Sequence, residues 1–155
     1  MLYPNPSRFK DFAMRLKGKV SIITGGASGI GKATVLKFAQ EGAIVAVCDL
    51  NQETIDATVN EVKAAGGEAV GYIVNVTNKS QINDMVADVK ARFGRIDVLV
   101  NNAGIVQDAQ LTKMTDEQFD LVIDINLRGV YNCAKAVVDT MVAQGGGVIL
   151  NASSV

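Results

Sequence analysis

Thr24-Gly25-Gly26-Ala27-Ser28-Gly29-Ile30-Gly31 is the stretch on which the reading of this chain turns. Ahead of it, Val20-Ser21-Ile22-Ile23 is a short apolar run of the kind that forms a buried strand. Behind it, Ile30, Ala33, Leu36 and Ala39 recur at helical spacing until Gly42. Glycines in such a strand-to-helix turn let the chain close tightly and let a ligand approach the backbone with no Cβ in the way. The following helix offers unpaired N–H groups and the positive end of its dipole, which together favour a pyrophosphate. The spacing is G-x3-G-x-G, not the G-x-G-x-x-G of the broader dinucleotide pattern, and no Gly-Lys-Ser/Thr marks a phosphoryl-transferring loop. Because tight turns also use glycine for structure alone, the inference toward a nucleotide rests on the flanking strand and helix.

Outward from this turn the alternation continues. Ala43–Cys48, Val70–Val74, Ile96–Val100 and Val148–Ala152 read as further strands. Helices are expected over 51–65, 79–93 and a long region 116–143, the second showing Ile82, Met85, Val86, Val89 and Phe93 on one face. Apolar strands separated by helices predict an α/β fold, a doubly wound parallel sheet covered on both faces (the Rossmann fold), with right-handed crossovers and strand order 3-2-1-4-5. Residues 1–15, polar and proline-containing at the start, read as an N-terminal extension, and residues 16–155 as one nucleotide-binding domain.

Composition narrows the chemistry. Of 155 residues 48% are apolar and 20% charged, which is globular rather than disordered. A net charge of −1 argues against nucleic-acid or membrane partners held through bulk charge. There is no histidine, so a Ser-His-Asp triad, a Cys-His pair and a histidine-ligated zinc are impossible within the chain. Proton transfer must then use Tyr, Lys, Cys, a carboxylate or water. No apolar run reaches the about 18 residues of a membrane span. Cys48 and Cys133 lie far apart without a CxxC spacing and read as buried free thiols. Their scarcity, with no secretory leader visible, points to a cytoplasmic protein.

Asp49 ends the second strand beside the glycine turn, where a carboxylate can accept from ribose hydroxyls and would repel a 2′-phosphate. Neither Ser28 nor the following Leu50 supplies a cation, so NAD is expected over NADP. A helix N-cap is the competing role for Asp49, although Asn51 could also serve there.

Taken in order, Thr24–Gly31, Asp49, Asn101-Asn102-Ala103-Gly104, Asn126-Leu127-Arg128-Gly129 and Ala152-Ser153-Ser154-Val155 resemble the short-chain dehydrogenases/reductases. The resemblance is to the branch of the bacterial 3-oxoacyl-acyl-carrier-protein reductases and covers residues 16–155. It implies that Gly25, Ser28, Gly29, Ile30 and Gly31 surround the pyrophosphate and that Asp49, with Leu50 beside it, holds the adenosine ribose. Asn75-Val76 stands where the family usually has Asp-Val beside the adenine, an asparagine that could still accept through its carbonyl. Asn102, Ala103 and Gly104 would line the cofactor ribose and brace the sheet, a stretch that is also a strand-ending turn.

For catalysis, the resemblance implies that Asn126 binds a water of a proton relay and Ser154 hydrogen-bonds the substrate carbonyl, with Ser153 as the fallback. Independently, an asparagine at 126 in a helix is locally unfavourable and suggests a purpose beyond stability. The family's Tyr-x3-Lys pair is expected beyond the serine, where the sequence stops. Tyr131 and Lys135 have its spacing but precede the serine, and packing and surface charge explain them. The expectation is therefore the N-terminal portion of a longer protein, with strand five left as an open apolar edge. The function implied is hydride transfer between NAD and a small carbonyl or secondary-alcohol substrate, in a homodimer or homotetramer. A non-catalytic dinucleotide-binding module is the alternative. A Rossmann-like methyltransferase shares the glycine turn and the acid but not Asn-Asn-Ala-Gly.

Overall fold

β1 (Val20–Thr24) is buried at every residue and lies at the centre of a five-stranded parallel sheet of order β3-β2-β1-β4-β5. The computed structural model describes residues 14–153, so the larger part of the expected extension, 1–13, and the expected catalytic Ser154 fall outside the described residues. The other strands are β2 (Ile44–Asp49), β3 (Glu68–Ile73), β4 (Val98–Asn101) and β5 (Val148–Asn151). Each crossover carries helix: α1 (Gly29–Gln40), α2 (Gln52–Ala64), α3 (Lys79–Phe93), and α4 (Asp116–Ile123) running on into α5 (Gly129–Ala143). This is the doubly wound sheet that the alternation predicts.

The helices divide the core. Ile23, Val45, Val47, Val98 and Val100 face α1 and α2, meeting Val35, Ile55 and Val59. Ile22, Ala46, Cys48 and Leu99 face the other way, onto Ile82, Met85 and Val89 of α3 and Cys133, Val137 and Met141 of α5. Both cysteines are free and buried. Burial pushes both thiols up, Cys133 to about 11 and Cys48 higher still, so neither ionises near neutral pH.

Strand ends shift by one or two residues from the sequence reading, and two differences have visible reasons. Ile96 is buried but outside β4, because Gln144 of the α5 C-terminus claims both its N–H (3.1 Å) and its carbonyl (2.6 Å). The region 116–143 is helical throughout, yet Asp124–Arg128 is a wider π turn, in which the Gly129 N–H reaches back to the Asp124 carbonyl. At the opposite end of the sheet from the glycine turn, Asp97 accepts from the Val20 N–H at 2.9 Å and from Arg95 at 2.7 and 2.6 Å. Met14 and Arg15 are also tied to the fold, through a turn closed by Lys17 on Met14 and an ion pair from Arg15 to Glu41. Among the described residues no helix is long and apolar enough to cross a membrane.

Candidate functional site

A cleft of about 600 Å³ opens over the carboxyl ends of the strands, at the point where the sheet order reverses between β1 and β4. Gly25, Ser28, Gly29 and Ile30 form one wall, Asp49 and Leu50 the next, Asn75 and Val76 the third, and Asn102, Ala103 and Gly104 the floor. Sequence reasoning missed three further lining residues, Val74, Ile105 and Ile125. All three are aliphatic neighbours of residues it did single out, and aliphatic residues carry no chemical signal of their own.

The glycine turn is held by hydrogen bonds from both β2 and the loop after β4. Gly26 donates to the Cys48 carbonyl at 3.0 Å and Ala27 to Asp49 Oδ2 at 3.0 Å. The Asn102 amide donates to the carbonyls of Thr24 (3.2 Å) and Gly25 (3.1 Å), and the Thr24 hydroxyl accepts from the N–H groups of Asn102 and Ala103 at 3.1 Å. Asn102 therefore ties the loop after β4 to the turn. Gly25 has a left-handed φ of +61°. Gly31 does not line the cleft, yet any Cβ there would fall on the Gly25 carbonyl, so the turn can fold only with glycine at 31.

The N-terminus of α1 differs from those of its neighbours. Asn51, Asn78 and Thr115 cap α2, α3 and α4 through their side chains, Thr115 in a full capping box with Gln118. Ser28 makes no such bond, and the first turn of α1 holds no acidic residue. Its unpaired N–H groups and dipole thus face the cleft without an internal anion to satisfy them. That arrangement fits a pyrophosphate, and a dinucleotide lying across the switch point fits the cleft.

Asp49 is not a helix cap, since Asn51 does that work through the Thr54 N–H at 3.1 Å. Its second oxygen accepts from the Leu50 N–H at 2.8 Å. Asn75 lines the cleft, but its side-chain carbonyl already accepts from the Thr77 N–H (3.0 Å) and hydroxyl (2.9 Å). This corrects the expectation that this carbonyl would receive an adenine amino group: an Asx turn fills both its lone pairs, leaving the Nδ2 donors.

Asn126 sits in the π turn, outside the cleft wall. Its amide pairs with both backbone groups of Ile105, Oδ1 accepting from N–H and Nδ2 donating to the carbonyl, each at 2.9 Å. The asparagine that looked costly in a helix is thereby the clamp on the loop after β4. Ser153 is exposed at the end of the described chain, while Tyr131 and Lys135 are exposed on α5 and do not line the cleft. No tyrosine or lysine among the described residues does.

With this geometry in hand, the pattern of the short chain dehydrogenase family matches residues 19–155. The chain belongs to that family. It is 52% identical over 142 residues to a 3-oxoacyl-acyl-carrier-protein reductase of Thermotoga maritima, spanning 92% of this chain and 58% of that one. It is 42% identical to a 3alpha-hydroxysteroid dehydrogenase of Mediterraneibacter gnavus, over 91% of this chain and 57% of the relative. A solved short-chain dehydrogenase/reductase from Mycobacterium marinum superposes with a TM-score of 0.88 at 36% identity, over 92% of this chain and 58% of that one. The chain thus spans less than two thirds of the length of these relatives.

Proposed function

We propose that this chain is the cofactor-binding portion of an oxidoreductase that passes hydride between NAD and a small carbonyl or secondary-alcohol substrate. The observation that carries the reading is the uncapped N-terminus of α1 aimed into the cleft, with the Asp49 carboxylate one strand away. The glycine turn and the α1 N–H groups hold the pyrophosphate, and Gly31 permits the close approach. Asp49 keeps lone pairs free for ribose hydroxyls and sets a negative charge where NADP would bring a phosphate, which supports NAD. When bound, the nicotinamide supplies the hydride chemistry. The residues of the chain orient it: the Asn126 clamp fixes Ile105 and, through it, the loop over Ala103 and Gly104. Ser154, or Ser153 beside it, serves the substrate oxygen as the resemblance implies. Exposed Phe119, Leu127, Tyr131 and Val142 on α4, the π turn and α5 support a homodimer or homotetramer, and the buried thiols a cytoplasmic setting.

The second reading, a dinucleotide-binding module without turnover, is favoured by the absence of tyrosine and lysine from the described cleft wall. Titration of the purified chain with NADH and NADPH, followed by turnover on a panel of ketones, tests both. NADH is expected to bind at least about tenfold more tightly than NADPH. Binding of neither would overturn the proposal, equal binding of both would overturn the preference for NAD, and turnover would exclude the module.

A further inference from the structure

Asn132 stands on the inner face of α5 and is only 5% exposed, in a place that suits hydrocarbon: Cys133, Val137 and Met141 on the same helix are core residues. Its Nδ2 donates to the Val76 carbonyl at 3.1 Å, whereas its Oδ1 has no hydrogen-bond partner among the described residues. A half-satisfied amide in a core is a poorer choice for stability than an aliphatic side chain. What it gains is a hold on Val76. One turn earlier, Gly129 is buried, and a Cβ there would stand 2.6 Å from Val76 Cγ2. Two positions of α5 are therefore cut to fit one residue of the loop between β3 and α3. From its other side that loop is tied by the Asp49 carbonyl on the Val74 N–H (2.9 Å) and by Gln81 on the Asn75 N–H (2.8 Å).

We infer that Asn132 is a positioning residue for the base of the nucleotide: together with Gly129 it seats Val76, so that Val74, Asn75 and Val76 present a fixed edge to a purine. The inference rests on the dinucleotide reading of the cleft and goes beyond it by adding a residue that never lines the cleft. The contacts expected for pyrophosphate and ribose belong to the glycine turn and Asp49, which α5 does not hold. Loosening Val76 must then weaken binding of the base while sparing the rest of the ligand.

The test uses Asn132→Leu in the 155-residue chain, titrated with 5′-AMP, NADH and reduced nicotinamide mononucleotide, with amide hydrogen exchange read over residues 74–78. The dissociation constants of 5′-AMP and NADH are expected to rise about fivefold to tenfold, that of the mononucleotide to stay within about twofold, and exchange at Val76 and Thr77 to accelerate. Gly129→Ala presses on the same valine from a helix that alanine favours. It should give the same selective loss, and it decides the matter alone if Asn132→Leu does not fold. Equal weakening of all three ligands, or unchanged 5′-AMP and NADH binding in a folded variant, overturns the assignment. If the unaltered chain binds neither 5′-AMP nor NADH, the cofactor reading falls and takes this one with it. Normal binding by the unaltered chain with unmoved variants sinks only the role of Asn132.

Discussion

The two edges of the sheet are finished differently. At one, β3 carries Glu68, Gly71 and Tyr72 and has a helix against each face, with Ile73 left 51% exposed at its end: α2 places Ile55 against Gly71, and α3 offers Asp88 to the Tyr72 hydroxyl at 2.7 Å. At the other edge, β5 exposes Val148 (50%) and Leu150 (47%), and only Ile149 reaches a core. Val148 and Leu150 pair with Val98 and Val100, so they lie on the face that α1 and α2 cover elsewhere. Nothing among the described residues covers that face of β5. A parallel strand needs both faces covered: β1 and β2 meet the rule, β3 has a helix on each face, and β5 has one face open. Three walls of the cleft, its turn and its carboxylate among them, stand on β1, β2 and β3, and the loop after β4 supplies the floor.

Substitutions can break or sharpen this contrast. The largest effect is expected from Ile22→Ala at the centre of β1, where a fully buried side chain is lost to a cavity. Urea unfolding should show a loss of about 3–4 kcal/mol. Gly31→Ala comes next, since its Cβ meets backbone that cannot yield without moving the turn. It should cost about 2 kcal/mol and weaken NADH at least about tenfold by titration.

Asp97→Asn follows. Burial works to raise the Asp97 carboxyl, but the hydrogen bonds from Arg95, the Val20 N–H and Lys19 outweigh it and hold the group below its ordinary value. A depressed value means that the stabilisation is complete above the ordinary aspartate range and fades as the pH falls through the folded value. The variant should be about 1–2 kcal/mol less stable at pH 7, and that gap should narrow below about pH 4 in acid titrations followed by circular dichroism.

The smallest effect is expected from Leu150→Thr on β5, under about 0.5 kcal/mol, with reduced self-association by light scattering. A loss above about 1.5 kcal/mol would mean that the open face of β5 is covered in solution, and the contrast between the edges would fail.

How much of this was legible in the sequence follows from what each residue bonds to. Strands such as Val20–Thr24 and Ile44–Asp49 carry adjacent apolar residues because both faces are buried, and that pattern reads directly. The glycine turn reads because its backbone conformation excludes side chains, as at Gly25 and Gly31. Asn126 stood out as a misfit in a helix, but its partner could not be read, because the Ile105 backbone bears no mark of the bond it makes. The π turn was invisible because it covers only Asp124–Arg128, too short a stretch for a shift in apolar spacing to stand out from the helices on either side. Asn132 passed unnoticed among Cys133, Val137 and Met141, since only the fold brings Val76 to it across 56 positions.

The bond from Ala27 to Asp49 carries a lesson for redesign. Exchanging Asp49 for a neutral residue to welcome a phosphorylated nucleotide, as the proposed function invites, would do more than remove a charge, because the same carboxylate is a strut of the glycine turn. A successful swap must bring its own acceptor for the Ala27 N–H, or reinforce the turn through Thr58, whose hydroxyl lies 3.5 Å from the Ala27 carbonyl. If Asp49 chooses the nucleotide as proposed, that choice and the loop geometry are one inheritance in this chain, and they have to be rewritten together.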